Sequence, residues 1–361
     1  MKLQVTQENL AKALNTVART ASSRGTLPIL SNVLLKTVDN RLSIAATNLD
    51  IAITQFIGSK VAREGSITVP ARLMQDFVSS LPSGVIELKL EDNKLHISTD
   101  KYKSTINGIT AEDFPVMPAI EKGQSWTVDG RILKAGLQQV IVAASNDEAR
   151  PVLTGIYFHS FEGDLYLAAT DSYRLAEKKL LATDADINLL IPASAMQDLL
   201  RILSDKEELV EVTHDDQQVL FRVGDVELVA RLIEGKYPDY RKLIPASFAT
   251  SATLKRAELA NITKVSSLFA RESAGSITIH VEDSQVSIRS IASQLGENTS
   301  SATADIQGEG AITLNSRYLM DGLQAMTGDT VKFSFNGKLE ACVLADPKAG
   351  DYTHLIMPLK S

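Results

Sequence analysis

Apolar residues along this chain switch repeatedly between two spacings. From Gln7 to Thr20 they return at helical intervals, as Leu10, Ala13, Leu14, Val17 and Ala18, and predict an amphipathic helix. Ser22-Ser23-Arg24-Gly25 is turn-rich, and the run from Val33 to Ile57 reads as strands folded about Asp39-Asn40. Pro70 opens a second helix in the favoured first-turn position, with Leu73, Phe77 and Leu81 on one face. After Pro82, Ile86, Leu88 and Leu90 alternate with Glu87, Lys89 and Glu91, then turn at Asp92-Asn93 into Leu95 and Ile97. That is the pattern of a half-buried antiparallel hairpin.

The order helix, strands, helix, strands then recurs twice. Helices are predicted over 131–144 (Leu133, Leu137, Val140, Ile141), 192–203, 255–269 and 315–327, and Val331, Phe333 and Phe335 lead into an expected Asn336-Gly337 hairpin turn. The text repeats as well as the pattern. Ile67-Thr68-Val69-Pro70-Ala71-Arg72-Leu73-Met74-Gln75-Asp76 returns as Leu189-Leu190-Ile191-Pro192-Ala193-Ser194-Ala195-Met196-Gln197-Asp198, and more faintly from Ile312 to Asp321. Leu42-Ser43-Ile44-Ala45-Ala46-Thr47 matches Leu165-Tyr166-Leu167-Ala168-Ala169-Thr170 at the same period, with Val286 to Ile291 as the third copy. A period of about 120 residues is domain-sized, well above that of solenoid repeats. The expected fold is therefore α+β: three copies of one domain, at 1–120, 121–245 and 246–361, each with two helices packed on antiparallel sheets of about eight strands.

Composition adds limits. Apolar content of 44% and charged content of 22% are those of a globular protein, and no run approaches the roughly 18 apolar residues of a membrane span. Met1 to Thr6 lacks the apolar stretch of a secretory leader, and Cys342 is the single cysteine, which together suit a reducing cytoplasm. The net charge of -7 argues at first against a polyanionic partner, but distribution matters more than the sum. The six predicted helices carry ten basic residues against five acidic ones, leaving -12 on the rest of the chain. Gathered by three-fold repetition onto one surface, that charge suits phosphates gripped without reading sequence.

Catalytic patterns are missing. His96, His159, His214, His280 and His354 have no paired ligand spacing, and no HExxH, GxxxxGK[ST], GxSxG or CxxC occurs. Asp184 with Asp186, and Asp215 with Asp216, lie in polar turn text where acidic residues favour bends. Neither an enzyme nor a metal or other cofactor is expected.

Four segments carry a resemblance to a known family. Thr26-Leu27-Pro28-Ile29-Leu30, Ala169-Thr170-Asp171-Ser172-Tyr173-Arg174-Leu175, Tyr237-Pro238-Asp239-Tyr240 and Ile356-Met357-Pro358-Leu359 resemble the bacterial replicative sliding clamp, the beta subunit of DNA polymerase III. The likeness runs through the whole chain in order. It implies a head-to-tail homodimer whose six domains form a ring, helices lining a hole around duplex DNA and sheets outside. The function implied is that of a processivity factor tethering the polymerase III catalytic subunit. The clamp loader, other polymerases and mismatch-repair proteins would share one peptide pocket.

Carried over residue by residue, that pocket comprises Leu153, Thr170, Ser172, Tyr173, Arg174, Leu175, Pro238, Lys242, Leu243, Met357, Pro358 and Leu359. It would take a short extended peptide with leucine and phenylalanine anchors. The chain departs from a common family pattern at Ser172 and Tyr173, where many members have Gly-His, and at Lys242, where arginine is frequent. For DNA, Arg24 matches a family loop residue, Arg150 sits in the corresponding loop of the second domain, and Arg72, Arg201 and Arg317 are helix-borne. For the ring interface the resemblance implies Lys101 and Lys103 on a basic edge strand, facing Leu268, Phe269 and Glu297. The competing reading is a non-catalytic three-domain interaction scaffold that does not encircle DNA.

Overall fold

The computed structural model describes residues 1–21, 27–115, 120, 122–206, 208–294 and 296–359. The first repeat runs β1 (Lys2–Thr6), α1 (Gln7–Val17), β2 (Asn32–Val38), β3 (Arg41–Thr47), β4 (Ile51–Gly58), β5 (Lys60–Arg63), β6 (Ser66–Pro70), α2 (Ala71–Ser80), β7 (Val85–Glu91), β8 (Lys94–Ser98) and β9 (Lys103–Asn107). The second has β10 (Gln124–Asp129), α3 (Gly130–Val140), β11 (Gly155–Phe161), β12 (Asp164–Thr170), β13 (Arg174–Ala182), β14 (Asn188–Pro192), α4 (Ala193–Ile202), β15 (Leu209–His214), β16 (Gln218–Val223) and β17 (Val226–Arg231). The third has β18 (Thr250–Lys255), α5 (Arg256–Phe269), β19 (Ser276–Glu282), β20 (Gln285–Ala292), β21 (Gly296–Thr303), β22 (Asp305–Gln307) and β23 (Gly310–Asn315). It closes with α6 (Ser316–Ala325), β24 (Thr330–Phe335), β25 (Cys342–Ala345) and β26 (Tyr352–Ile356).

Helix faces follow the apolar spacing. Leu10, Ala13, Leu14 and Val17 are fully buried, and the Thr6 hydroxyl caps α1 by accepting from Asn9 N–H at 3.4 Å. The helix stops at Val17 rather than Thr20, because Thr20 N–H turns back to Val17 O in a tighter turn. Likewise α3 ends at Val140 and a 3-10 turn covers Ile141–Ala143, since Ser145 N–H is drawn to Leu153 O. On α2 the buried stripe is Ala71, Met74 and Val78, and Leu73, expected inside, is 53% exposed. One residue of phase, about 100° around a helix, makes that difference.

Asp39-Asn40 and Asp92-Asn93 are the expected two-residue turns, each pair at positive φ. Asn336-Gly337 is not. Ser334 already pairs with Val343, so residues 336–341 form a longer loop. The Asn336 side chain instead donates to Ser247 O at 2.9 Å and accepts from Ala249 N–H at 2.7 Å.

The chain divides into two compact units that do not coincide with the three repeats. One holds Met1–Arg131 and Gln197–Leu232, the other Ile132–Met196 and Ile233–Ser361. Strand pairing across repeat boundaries is the reason. The first unit contains a five-stranded sheet, β5-β1-β7-β8-β9, and an eight-stranded one, β10-β15-β16-β17-β4-β3-β2-β6, in which β17 joins β4 with Leu228 opposite Ile53. The second contains a nine-stranded sheet, β14-β11-β12-β13-β26-β25-β24-β18-β22, in which β13 joins β26 with Ala176 opposite His354. Its four-stranded sheet is β21-β20-β19-β23. Every ladder is antiparallel, and β9 and β21 each end their sheet. Within the first unit α1 packs beside α2, and within the second α5 packs beside α6. Among the described residues no helix is long and apolar enough to cross a membrane.

Two histidines lie deep in the second unit. Burial, with Arg174 adding to it, holds His354 down to about 3, and burial with Arg241 holds His159 down to about 4. Both rings are thus neutral when folded, whereas the unfolded chain takes up protons below about 6.5. Stability should therefore be fully present above pH 6.5 and fall by up to about 1.4 kcal/mol per pH unit per ring as pH drops from 6.5 toward 5. Urea midpoints measured from pH 7.5 to 5.0 check this; a flat profile would mean neither ring is held neutral.

Candidate peptide groove and basic helix surfaces

The turn between β12 and β13 builds one side of the candidate groove. Asp171 Oδ1 accepts the N–H groups of Tyr173 at 2.9 Å and Arg174 at 3.0 Å, and Thr170 Oγ1 donates to Arg174 O at 2.6 Å. This closes the turn so tightly that Ser172 takes φ 79, a left-handed conformation that favours glycine. A non-glycine there stores about 1 kcal/mol of strain; Ser172 N–H, donated to Thr170 Oγ1 at 3.2 Å, helps to hold it. The turn leaves Tyr173 58% exposed.

Arg174 lies behind that turn, buried. Its Nε meets Asp171 Oδ2 at 3.1 Å, Nη1 donates to Asp321 Oδ2, and Cζ sits 4.6 Å from the Tyr318 ring centre. The guanidinium thus ties β13 to α6.

The C-terminal segment extends the β13–β26 ladder past Ile356. Met357 N–H donates to Tyr173 O and Leu359 N–H to Thr313 O, both at 2.8 Å. Pro358 between them has no N–H to satisfy. Met357, Pro358 and Leu359 are half-buried. Beneath lies an apolar floor of Ala168, Leu175, Leu190, Tyr237, Tyr240, Ala341, Val343 and Leu355, with Val152, Ile244, Phe248 and Met357 packed against it.

The third side is the connector from β17 to β18. Gly235 turns it at φ 127, and a Cβ there would stand 2.7 Å from Val152. Pro238, Lys242 and Leu243 lie exposed along it, Leu243 at 55%, and Lys242 pairs with Asp239 at 2.6 Å. Of the twelve expected pocket residues, Leu153, Thr170 and Leu175 are buried and Arg174 is locked in ion pairs. Tyr173, Pro238, Leu243 and the C-terminal segment form the accessible rim. Val343, Ala341, Tyr237 and Phe248 of this floor are not among the twelve. Only the recurring apolar-proline text at Tyr237-Pro238 hinted at them.

The expected DNA contacts separate. Arg24 lies outside the described residues. Arg72 on α2 and Arg317 on α6 are exposed, as are Lys12 on α1 and Lys264 on α5. In the first unit a cleft of about 650 Å³ is lined by Lys12, Gln55, Arg201, Lys206, Glu208 and Asp225. Arg201 pairs there with Asp198 at 2.5 Å. Arg150 is exposed in its expected loop, where its Nε meets Asp147 at 2.9 Å and its Nη1 donates to Ser172 Oγ at 3.0 Å, beside the groove's turn. Arg256, counted with the helix charges, donates to Gly328 O at 2.7 Å and Leu323 O at 3.2 Å, capping the end of α6.

Family models of the DNA polymerase III beta subunit match the chain throughout, its N-terminal domain over residues 1–118, its central domain over 127–239 and its C-terminal domain over 241–360. The chain belongs to the DNA polymerase III beta subunit family. A beta sliding clamp of Synechocystis sp. is 33% identical over 388 aligned residues, covering 100% of this chain and 99% of that protein. The DNA polymerase sliding clamp of Bacillus subtilis superposes with a TM-score of 0.96 at 29% identity, covering 100% of this chain and 99% of the other. The sliding clamp of Pseudomonas aeruginosa, solved bound to griselimycin, shares the fold with a TM-score of 0.95 at 24% identity, each chain covered in full. The architecture is thus the three-domain clamp fold, α+β with antiparallel sheets and six helices among the described residues. The family consists of non-catalytic processivity clamps.

Arg174 and Arg150 predict different losses. Arg174→Ala strips the partner from two mostly buried carboxylates and should lower stability by about 3 kcal/mol. Arg150→Ala removes a solvated pair and should change it by less than about 1 kcal/mol. Urea unfolding of the two variants checks the order.

Proposed function

We propose that two copies of this chain join head to tail into a ring around duplex DNA and tether a replicative polymerase in the bacterial cytoplasm. The observation that carries this reading is the pair of open edges, β9 and β21. Counting through the repeats, Ser104 corresponds to Leu228 and His354, while Asn298 corresponds to Ile53 and Ala176. Both internal junctions use this same register, Leu228 opposite Ile53 and His354 opposite Ala176. A third junction of the same kind can form only with another copy, Ser104 facing Asn298, Lys103 facing Thr299 and Thr105 facing Glu297. Lys101, Lys103 and Glu297 are exposed, Leu268 is 50% exposed, and Phe269 is half-buried, as an interface would need before it forms. Two copies use every edge of this kind, so the assembly closes. The exposed Lys12, Arg72, Lys264 and Arg317, with Arg24 and Arg201, then serve as phosphate contacts without base readout. Arg150, exposed in the loop that corresponds to that of Arg24, joins them. A scaffold that does not encircle DNA leaves the two matching edges without a use.

The topology is directly testable. Ser104→Cys with Asn298→Cys places two thiols at a directly opposed strand pair, within disulfide reach across the interface; Cys342 is buried and does not compete. Oxidation after loading onto a nicked circle should give a covalently closed dimer that survives high salt on the circle and is released when the circle is cut. No cross-link, or equal retention on linear DNA, would overturn the ring.

The apolar groove is the proposed landing site for the polymerase III catalytic subunit, the clamp loader, other polymerases and mismatch-repair proteins. Each would insert a short peptide with leucine and phenylalanine anchors. Deleting Met357 to Ser361 removes one wall of the groove and leaves both edges intact. Affinity for a fluorescent peptide of glutamine-leucine-phenylalanine pattern should fall about thirtyfold or more, the loss of about 2 kcal/mol typical of one buried anchor. The dimer should persist. Equal peptide affinity for the deleted and intact proteins would sink the groove assignment while leaving the ring standing.

A further inference from the structure

The connector from 232 to 249 has no regular structure beyond one 3-10 turn, Tyr240–Leu243, yet one wall of the groove is built from it. What fixes it lies on its inner side. Tyr157, His159 and Phe161 alternate along β11, so their side chains share one face of the nine-stranded sheet, and Tyr166 stands directly opposite His159 on β12. Tyr237 stacks on Tyr157 at 4.7 Å, and Tyr240 meets His159 edge-on at 5.8 Å. The Tyr240 hydroxyl donates to Glu177 Oε2 at 2.5 Å and lies 2.6 Å from His159 Nε2. Arg241 follows, its Cζ 4.0 Å from the Phe161 ring centre and 4.2 Å from that of Tyr166, with Nη2 2.9 Å from the same Glu177 oxygen.

One carboxylate, with its side chain only 12% exposed, thus anchors two successive connector residues. Holding Tyr240 and Arg241 on the sheet fixes the two residues that follow, Lys242 and Leu243, which face outward. Ile244 N–H donates to Arg241 O at 3.2 Å and closes the turn. A carboxylate with so little water needs both partners, and a guanidinium lying against two rings gains from their quadrupoles and its own pairing together.

We infer that Arg241 and Glu177 are positioning residues for peptide capture: they hold the connector in the one arrangement in which Pro238 and Leu243 form a wall. The inference rests on the groove being the peptide site. Without this anchoring the connector samples other arrangements, and only the fraction with a formed wall binds. The apparent Kd rises by the reciprocal of that fraction. Association slows by the same factor, whereas dissociation from the formed groove does not change. A purely structural role would lower the unfolding midpoint and leave both rate constants alone.

Stopped-flow measurement with the fluorescent glutamine-leucine-phenylalanine peptide, on the full-length dimer, separates these cases. Arg241→Ala should slow association about tenfold, as expected if the formed fraction falls to about a tenth, with dissociation within about twofold. Arg241→Lys should recover part of the loss, because an ammonium can pair with Glu177 but cannot lie flat against two rings. Leu243→Ala removes a wall contact directly and should speed dissociation instead. If Arg241→Ala fails to fold, Arg241→Lys and Glu177→Gln carry the same test, each expected to slow association. Unchanged association in these variants, with Leu243→Ala releasing peptide faster, would overturn the positioning role and leave the groove in place. Unchanged affinity in both Leu243→Ala and the C-terminal deletion would overturn the groove, and this inference with it.

Discussion

Main-chain pairing across repeat boundaries is the constraint from which the rest of this structure follows. A strand at a sheet edge presents unpaired N–H and C=O groups, and a chain built of repeats has such an edge at every end of every copy. Here β17 covers β4 and β13 covers β26, in one register. Each pairing merges strands of two repeats into one large sheet, which is why the compact units cut through the repeats. Neither pairing asks for specific side chains, so the repeats could diverge in sequence while the junctions kept their geometry.

The groove is a by-product of one junction. Pairing of β13 with β26 brings the C-terminal segment beside the Ser172–Tyr173 turn, and Met357 N–H continues the ladder onto Tyr173 O. At the other junction β17 is followed by a connector that runs on toward the next repeat, so no chain end is available there. Around the groove, polar groups serve rigidity more than contact. Arg174 ties the turn to α6, and Glu177 gathers Tyr240 and Arg241. The exposed rim carries Tyr173, Pro238 and Leu243, with the Lys242–Asp239 pair beside them.

Charge follows a similar division. The predicted helices carried net positive charge in an acidic chain, and Lys12, Arg72, Lys264 and Arg317 do reach solvent. Arg256 does not serve that surface: it caps the end of α6. Basic residues counted along a sequence therefore overstate what a polyanion would meet, because some are consumed as internal hydrogen-bond donors. The remaining exposed cations lie on separate helices.

Helical and alternating spacing were enough to locate the six helices, most strands and the three-fold repeat, because burial periodicity is written locally. The family motifs likewise marked the turn at 170–175 and the C-terminal segment. Local pattern failed where a distant partner decided the outcome. Leu73 and Met74 are both apolar, and only the sheet beneath α2 chooses between them. Asn336-Gly337 reads as a tight turn until Asn336 finds Ser247 and Ala249. Tyr237, Phe248, Ala341 and Val343 come from separate strands and loops and meet only after β24, β25 and β26 assemble. Which strands would pair across the repeats was also unreadable, since antiparallel ladders are made by backbone groups that every residue but proline shares. Elements, their repetition and the family are thus written in local pattern, whereas the register between repeats, and with it the edges and the groove, is set only when distant backbone segments meet.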